Sequence, residues 1–197
     1  MSEKTETNRQ KQAEETKNRI YRAAIELLEH KGFENITIAE ISRKADVSVG
    51  AFYLYFSSKK DILSEVFNKA DIFFSRDVLP LLSGKTAPEQ IIEYFIQYVN
   101  LNLENGVETT KHLFSPNVTF FIQKERPMHD ILVGIIRKGQ EKGELRTDVT
   151  PDELERLLFV NAWGTIFEWN LHNGKFDLKS TMEKRMGIML STLLPPA

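Results

Sequence analysis

Thr37, Ser48, Tyr53 and Tyr55 bring four hydroxyls into one short stretch that ends in Lys59 and Lys60. Hydroxyl donors and flexible cations in this combination suit phosphate oxygens. Other chemistry has no candidates in the chain. The absence of cysteine excludes a thiol nucleophile, a disulfide framework and Cys-ligated zinc. The histidines, His30, His112, His129 and His172, show no i,i+3 or i,i+4 pairing, so no metal site is expected. No nucleophile elbow, P-loop or dinucleotide fingerprint occurs. Glu14-Glu15 and Asp152-Glu153 read as surface or cap charges, and Lys124-Glu-Arg126 as a solvated run. Neither an enzyme nor a cofactor is expected.

The elements that must position the hydroxyls are helices. From Thr16, the apolar residues Ile20, Ala23, Ala24, Leu27 and Leu28 recur at helical spacing, and Gly32 followed by Phe33 ends the run. Thr37-Ile-Ala-Glu40 is a capping box, in which the threonine oxygen accepts an orphan N–H and the glutamate reaches back to the cap. Ser58, with Asp61 three residues on, opens a helix to about Leu82. Thr86-Ala-Pro-Glu89 opens one to about Glu104, and Thr150-Pro-Asp-Glu153 one to about Leu171, stopped by Asn173-Gly174. A last helix follows Asp177, and Pro116 and Pro127 divide the stretch between Thr109 and Lys142. Phe52–Phe56 has the composition of a strand, but it lies between helix caps and its end residues are four apart, which favours helix. An all-α fold of about nine helices is expected.

Within Phe33 to Asp61, two short helices are separated by the tight turn Asp46-Val47-Ser48, with Ala45 allowing the close approach and Ser48 capping the second helix. That helix buries Phe52 and Phe56 and turns Val49, Ala51, Tyr53 and Tyr55 outward. This is a helix-turn-helix, with Gly50 and Ala51 leaving the clearance a recognition helix needs in a duplex groove. Within Ile41–Lys60, Arg43, Lys44, Lys59 and Lys60 surround it with positive charge against the one acid Asp46.

Residues 17–66 resemble the DNA-binding domain of the TetR family of transcriptional repressors. The likeness rests on Ile20 and Ala24, Lys31-Gly-Phe33, Thr37, Ile41, Ala45, Val47-Ser-Val-Gly50, Phe52-Tyr-Leu-Tyr-Phe56 and Lys59. It implies that Thr37, Lys59, Tyr53 and Tyr55 hold phosphates, while Ser48, Val49, Gly50 and Ala51 face the major groove. Val49 stands where many relatives carry a polar or basic side chain; it suits a thymine methyl but not a bidentate pair with a base. The resemblance further implies a homodimer formed by the last two helices, on an operator that is an inverted repeat of double-stranded DNA. It also implies an effector held in the C-terminal domain.

That domain is rich in aromatic residues. Phe73, Tyr94, Phe95, Tyr98, Asn102, Phe120, Phe121, Trp163 and Phe167 are the candidate effector-pocket residues, with Gln123 and Asn161 as further polar groups. A mostly apolar pocket with few polar groups fits a hydrophobic or aromatic small molecule. The helix after Thr150 carries Leu154, Leu157, Leu158, Ala162, Ile166 and Trp169 as one broad stripe and Phe159, Trp163 and Phe167 as another, more than a surface helix requires.

The chain of 197 residues is 41% hydrophobic and 27% charged, as globular domains are. Its net charge of -2 divides unevenly: 11 Lys+Arg against 9 Asp+Glu in residues 1–60, a net of +2, and 15 against 19 beyond, a net of -4. An acidic partner is therefore expected at the N-terminal third. No secretory signal and no apolar run of the ~20 residues a membrane span needs are present, so a cytoplasmic protein is expected. The expected organisation is a flexible arm (1–15), a helix-turn-helix domain (16–62) and an effector-binding and dimerisation domain (63–197). The function expected is a ligand-responsive repressor; the alternative is a ligand-binding dimer that no longer binds DNA.

Overall fold

The computed structural model describes residues 8–114 and 126–195. They form helices joined by turns, with no strand among the described residues. The chain divides into two compact units between Val66 and Phe67.

In the first unit, α1 (Asn8–Lys31) buries Ile20, Ala23, Ala24 and Leu28 along one face. It begins at Asn8 and not at Thr16, which corrects the expected flexible arm for residues 8–15; residues 1–7 lie outside the described residues. The early turns bury no apolar side chain. They stand on helix propensity, in a run of Gln, Lys, Ala and Glu. Gly32 ends α1 with φ 75°, a left-handed conformation that costs glycine no Cβ clash, and its N–H donates to the Leu28 carbonyl at 2.7 Å. α2 (Ile38–Lys44) opens on the complete Thr37–Glu40 box. Asp46, at φ 54°, takes the left-handed position in the turn to α3 (Val49–Tyr53), a conformation aspartate tolerates better than most residues. Phe52 and Phe56, four residues apart, are both buried beneath α3.

α4 (Lys59–Phe73) starts where the Asp61 carboxylate accepts hydrogen bonds from the Ser57 and Ser58 backbone N–H groups and from the Ser58 hydroxyl. The helical path widens into a π turn at Phe74–Val78 and closes with the short α5 (Leu79–Leu81).

The second unit is built on α6 (Ala87–Asn105), α7 (Val107–Leu113), α8 (Pro127–Glu141), α9 (Pro151–Leu171) and α10 (Leu178–Ser191). α6 and α9 open on the boxes expected at Thr86 and Thr150, and Asp177 caps α10. α6 and α9 each pack against both α8 and α10. Their shared core includes Phe74, Ile91, Tyr94, Phe95, Leu132, Leu158, Phe159, Ile166, Met182 and Met186. Gly139 lets α8 close onto the start of α6: a Cβ there would stand 2.5 Å from the Ala87 Cβ. Both tryptophans, Trp163 and Trp169, lie on α9.

Candidate functional site

The Ser48 hydroxyl accepts the Ala51 N–H at 3.0 Å and so starts α3 where the chain leaves the turn. With Phe52 and Phe56 anchored below, the opposite face must be exposed. Val49 is 44% exposed, Tyr53 53% and Leu54 81%; Ser48 and Gly50 are exposed as well, whereas Ala51 and Tyr55 are half-buried. The Tyr53 ring stands edge-on to Phe52 at 5.6 Å, which braces it while leaving it open to solvent. Leu54 escaped the sequence reading, because an apolar residue inside an aromatic run carries no sign of exposure.

Thr37 is exposed, but its hydroxyl serves the cap: it donates to Glu40 Oε2 at 2.9 Å and accepts the Glu40 N–H at 3.2 Å. Lys31 Nζ completes the cluster at 2.7 Å from Glu40 Oε1. Hydrogen bonds from Lys31 first, then from Thr37, hold the Glu40 carboxyl down at about 2. Lys59 departs from its expected place as a phosphate ligand. Its ammonium turns toward the chain, donating to the carbonyls of Phe33 at 2.7 Å and Ile36 at 3.1 Å, 4.6 Å from the centre of the Phe33 ring. The exposed cations around α3 are Arg43, Lys60 and Lys44, the last paired with Glu26 at 2.6 Å.

The second unit brings several of the residues expected to line a pocket together in its core. Tyr94, Phe95 and Tyr98 are buried together with Phe74 and Phe159, with neighbouring ring centroids 4.5 to 6.5 Å apart. Phe73 meets Phe74 edge-on at 5.7 Å, and Trp163 lies 5.6 Å from Phe159. Asn102 is buried and donates to the Tyr98 carbonyl at 2.7 Å. Phe167 does not join them: it is 51% exposed, which corrects its expected place in the pocket. Phe120, Phe121 and Gln123 lie outside the described residues. The Asn161 side-chain oxygen is buried with no hydrogen-bond partner among the described residues.

Burial pushes the Tyr94 hydroxyl well above its ordinary range and that of Tyr98 up to about 12, the latter against an opposing pull from Arg126. Both stay neutral donors at physiological pH. Tyr94 donates to the Met128 carbonyl at 2.8 Å. Beside them lies a feature the sequence reading missed. Arg126, expected in a solvated run, is buried and grips Asp71 through two nitrogens, at 3.1 and 3.2 Å, while resting over the Phe67 ring. His129, paired with Glu155, stacks on Phe159 at 4.4 Å between centroids.

On α9, Leu157, Val160, Phe167 and Leu171 are exposed, as is Ile188 on α10. Apart from its chain neighbours and the nearby backbone of its own helix, no described atom lies within 4 Å of the place a Cβ would take on Gly164, between Val160 and Phe167 in the chain. No helix among the described residues is long and apolar enough to cross a membrane.

Residues 20–66 match the family described as "Bacterial regulatory proteins, tetR family". That stretch carries the TetR-family domain. All of Thr37, Ser48, Val49, Gly50, Ala51, Tyr53, Tyr55 and Lys59 fall inside the TetR-family match, and the aromatic cluster outside it. A fatty acid metabolism regulator protein of Bacillus subtilis is 24% identical over 181 residues, covering 87% of this chain and 92% of its own. The transcriptional repressor BepR of Brucella suis is 23% identical, covering 94% and 95%. Among solved structures, FadR from Bacillus subtilis in complex with stearoyl-CoA has a TM-score of 0.77 at 22% identity, covering 89% of this chain and 98% of that one. Thermus thermophilus FadR in complex with lauroyl-CoA has a TM-score of 0.69 at 24% identity, covering 92% and 96%. These likenesses carry the TetR-family fold through the second unit.

Proposed function

We propose that this protein is a homodimeric repressor, non-catalytic and cytoplasmic, that leaves its operator when a hydrophobic small molecule binds the second unit. The observation that carries the reading is the exposed α3 face, with Val49, Gly50, Tyr53 and Leu54 outward above the buried Phe52 and Phe56, inside the family's DNA-binding match. The Tyr53 and Tyr55 hydroxyls and the exposed Arg43 and Lys60 supply phosphate contacts, so affinity falls steeply with salt. Helix-turn-helix dimers of this kind place their two recognition helices on half-sites about 34–36 Å apart, and a two-fold dimer reads an inverted repeat.

A second copy of the chain covers the exposed apolar residues of α9 and α10. Leu157, Val160, Phe167, Leu171 and Ile188 support this, since monomeric proteins seldom leave such a surface open. The effector lies against Tyr94, Tyr98 and Phe159, where neutral hydroxyls orient it. Two structural relatives hold acyl-CoA, and the fold they share makes an acyl chain the class to test first. The ligand acts by binding better to a conformation whose half-site spacing is wrong for DNA. α4, which contains the boundary between the units, is the element through which the change passes.

The test is fluorescence anisotropy of the full-length protein on DNA flanking its own gene, with stearoyl-CoA and lauroyl-CoA titrated in. Salt-dependent binding, weakened about tenfold by Tyr53→Phe through loss of one hydrogen bond to a charged phosphate and reversed by the acyl-CoA, is the expected result. Binding that acyl-CoA leaves intact would remove that effector class. Lys59, whose ammonium faces backbone carbonyls, favours the other reading, a ligand-binding dimer without DNA binding. Retention of acyl-CoA with no DNA bound at low salt would establish it.

A further inference from the structure

We infer that the operator is read mainly through thymine methyl groups, met by Val49 and Leu54. This rests on the DNA-binding reading above and adds the chemistry of recognition. No residue from Ser48 to Tyr55 is Arg, Lys, Asn, Gln, Asp or Glu. Those are the side chains that form paired hydrogen bonds with guanine or adenine, or accept one from cytosine. The Ser48 hydroxyl is engaged at the helix start by the Ala51 N–H.

What the segment offers outward is apolar. Leu54 is 81% exposed and Val49 44%. Phe52 on α3 and Phe56 just beyond it are buried, while Gly50 and the C-cap residue Leu54, each two positions from Phe52, are exposed. Leu54 is the most exposed large apolar side chain among the described residues. The one apolar group on the major-groove edge of a base pair is the thymine C5-methyl. Val49 and Leu54 are five residues apart, about 7.5 Å along a helix axis, so their contacts fall on different base pairs.

The experiment selects duplexes from a randomised pool with the full-length protein, then replaces single thymines of the best duplex with uracil, which removes the methyl and leaves every hydrogen-bonding group. Two thymine positions are expected in each half-site. Each dT→dU exchange at these positions weakens binding about fourfold, the loss of one buried methyl. Val49→Ala and Leu54→Ala each make binding indifferent to uracil at one of the two positions. Both side chains are exposed, so the variants keep the fold; the uracil series on the unaltered protein decides the matter without them. Selected half-sites that share no thymine, or uracil duplexes bound as tightly as their parents, would overturn the inference while leaving DNA binding in place. A pool that yields no enriched duplex would overturn the DNA-binding reading, and this inference with it.

Discussion

The Lys59 ammonium lies 2.7 Å from the Phe33 carbonyl oxygen, with Ile36 O at 3.1 Å, so a lysine at the start of α4 closes the turn after α1. Its charge stabilises three carbonyls' worth of backbone in the segment 33–36, counting a longer approach to Glu34 O at 3.5 Å. Lys59→Met keeps the aliphatic stem and removes these bonds. The expected loss is about 1–3 kcal/mol of stability, from charged hydrogen bonds removed in a partly buried setting, read as a lowered urea midpoint. An unchanged midpoint combined with weakened DNA binding would return Lys59 to the phosphates.

Arg126 and Asp71 form a paired charge in the second unit, the arginine buried and also bonded to the Phe67 carbonyl. Asp71→Asn leaves the guanidinium without its counter-charge. The expected cost is about 3–5 kcal/mol, the usual penalty for breaking a buried pair. The double variant Asp71→Asn/Arg126→Met loses less than Asp71→Asn alone, because no orphan charge remains. Thermal unfolding of wild type, Asp71→Asn, Arg126→Met and the double variant measures the coupling; simple additivity would show the two residues to be independent.

The Glu40 carboxyl ionises at about 2 in the folded chain against an ordinary 4.5. A depressed acid contributes its full stabilisation above the unfolded value and loses it as pH falls through the folded one. Wild type should therefore exceed Glu40→Gln in urea midpoint at pH 7, with the difference shrinking below about pH 4.5 and gone near pH 2. A difference constant across that window would assign the effect to shape and not to charge.

Phe167 belongs to the exposed face of α9 with Leu157, Val160 and Leu171. If a second copy covers that face, Phe167→Asp places a charge in an apolar interface. Sedimentation should then show a monomer, with helix content kept and operator affinity lost. A variant that stays dimeric would move the interface elsewhere.

Helix starts were the most readable feature of the sequence. Thr37, Thr86 and Thr150, each with glutamate three residues on, all became boxes, because a cap is a local event whose partners are neighbours in the chain. Gly32 and Asn173-Gly174 were equally plain as stops, and all three residues have positive φ. What escaped depends on distance or on degeneracy. Arg126 is buried by Asp71, 55 positions away, and nothing next to Arg126 announces that partner. Phe159 and Phe167 differ by eight residues, just over two helical turns, so periodicity put them on one stripe while packing sent one inward and the other out. The first turns of α1 lack a stripe altogether and exist by propensity. At the candidate site, the turn, the cap and the buried aromatics were legible; the inward course of Lys59 and the outward course of Leu54 were not.

With Trp163 and Trp169 both on α9, the protein's indole emission reports one unit alone. Trp169 is buried and Trp163 rests against Phe159, so if the proposed effector enters that cluster the signal should change directly. Melting of α1 to α3, whose aromatic side chains are tyrosine and phenylalanine, passes unseen in the same spectrum. Fluorescence thus follows the second unit with no label attached, and events at the other unit call for an optical probe of their own.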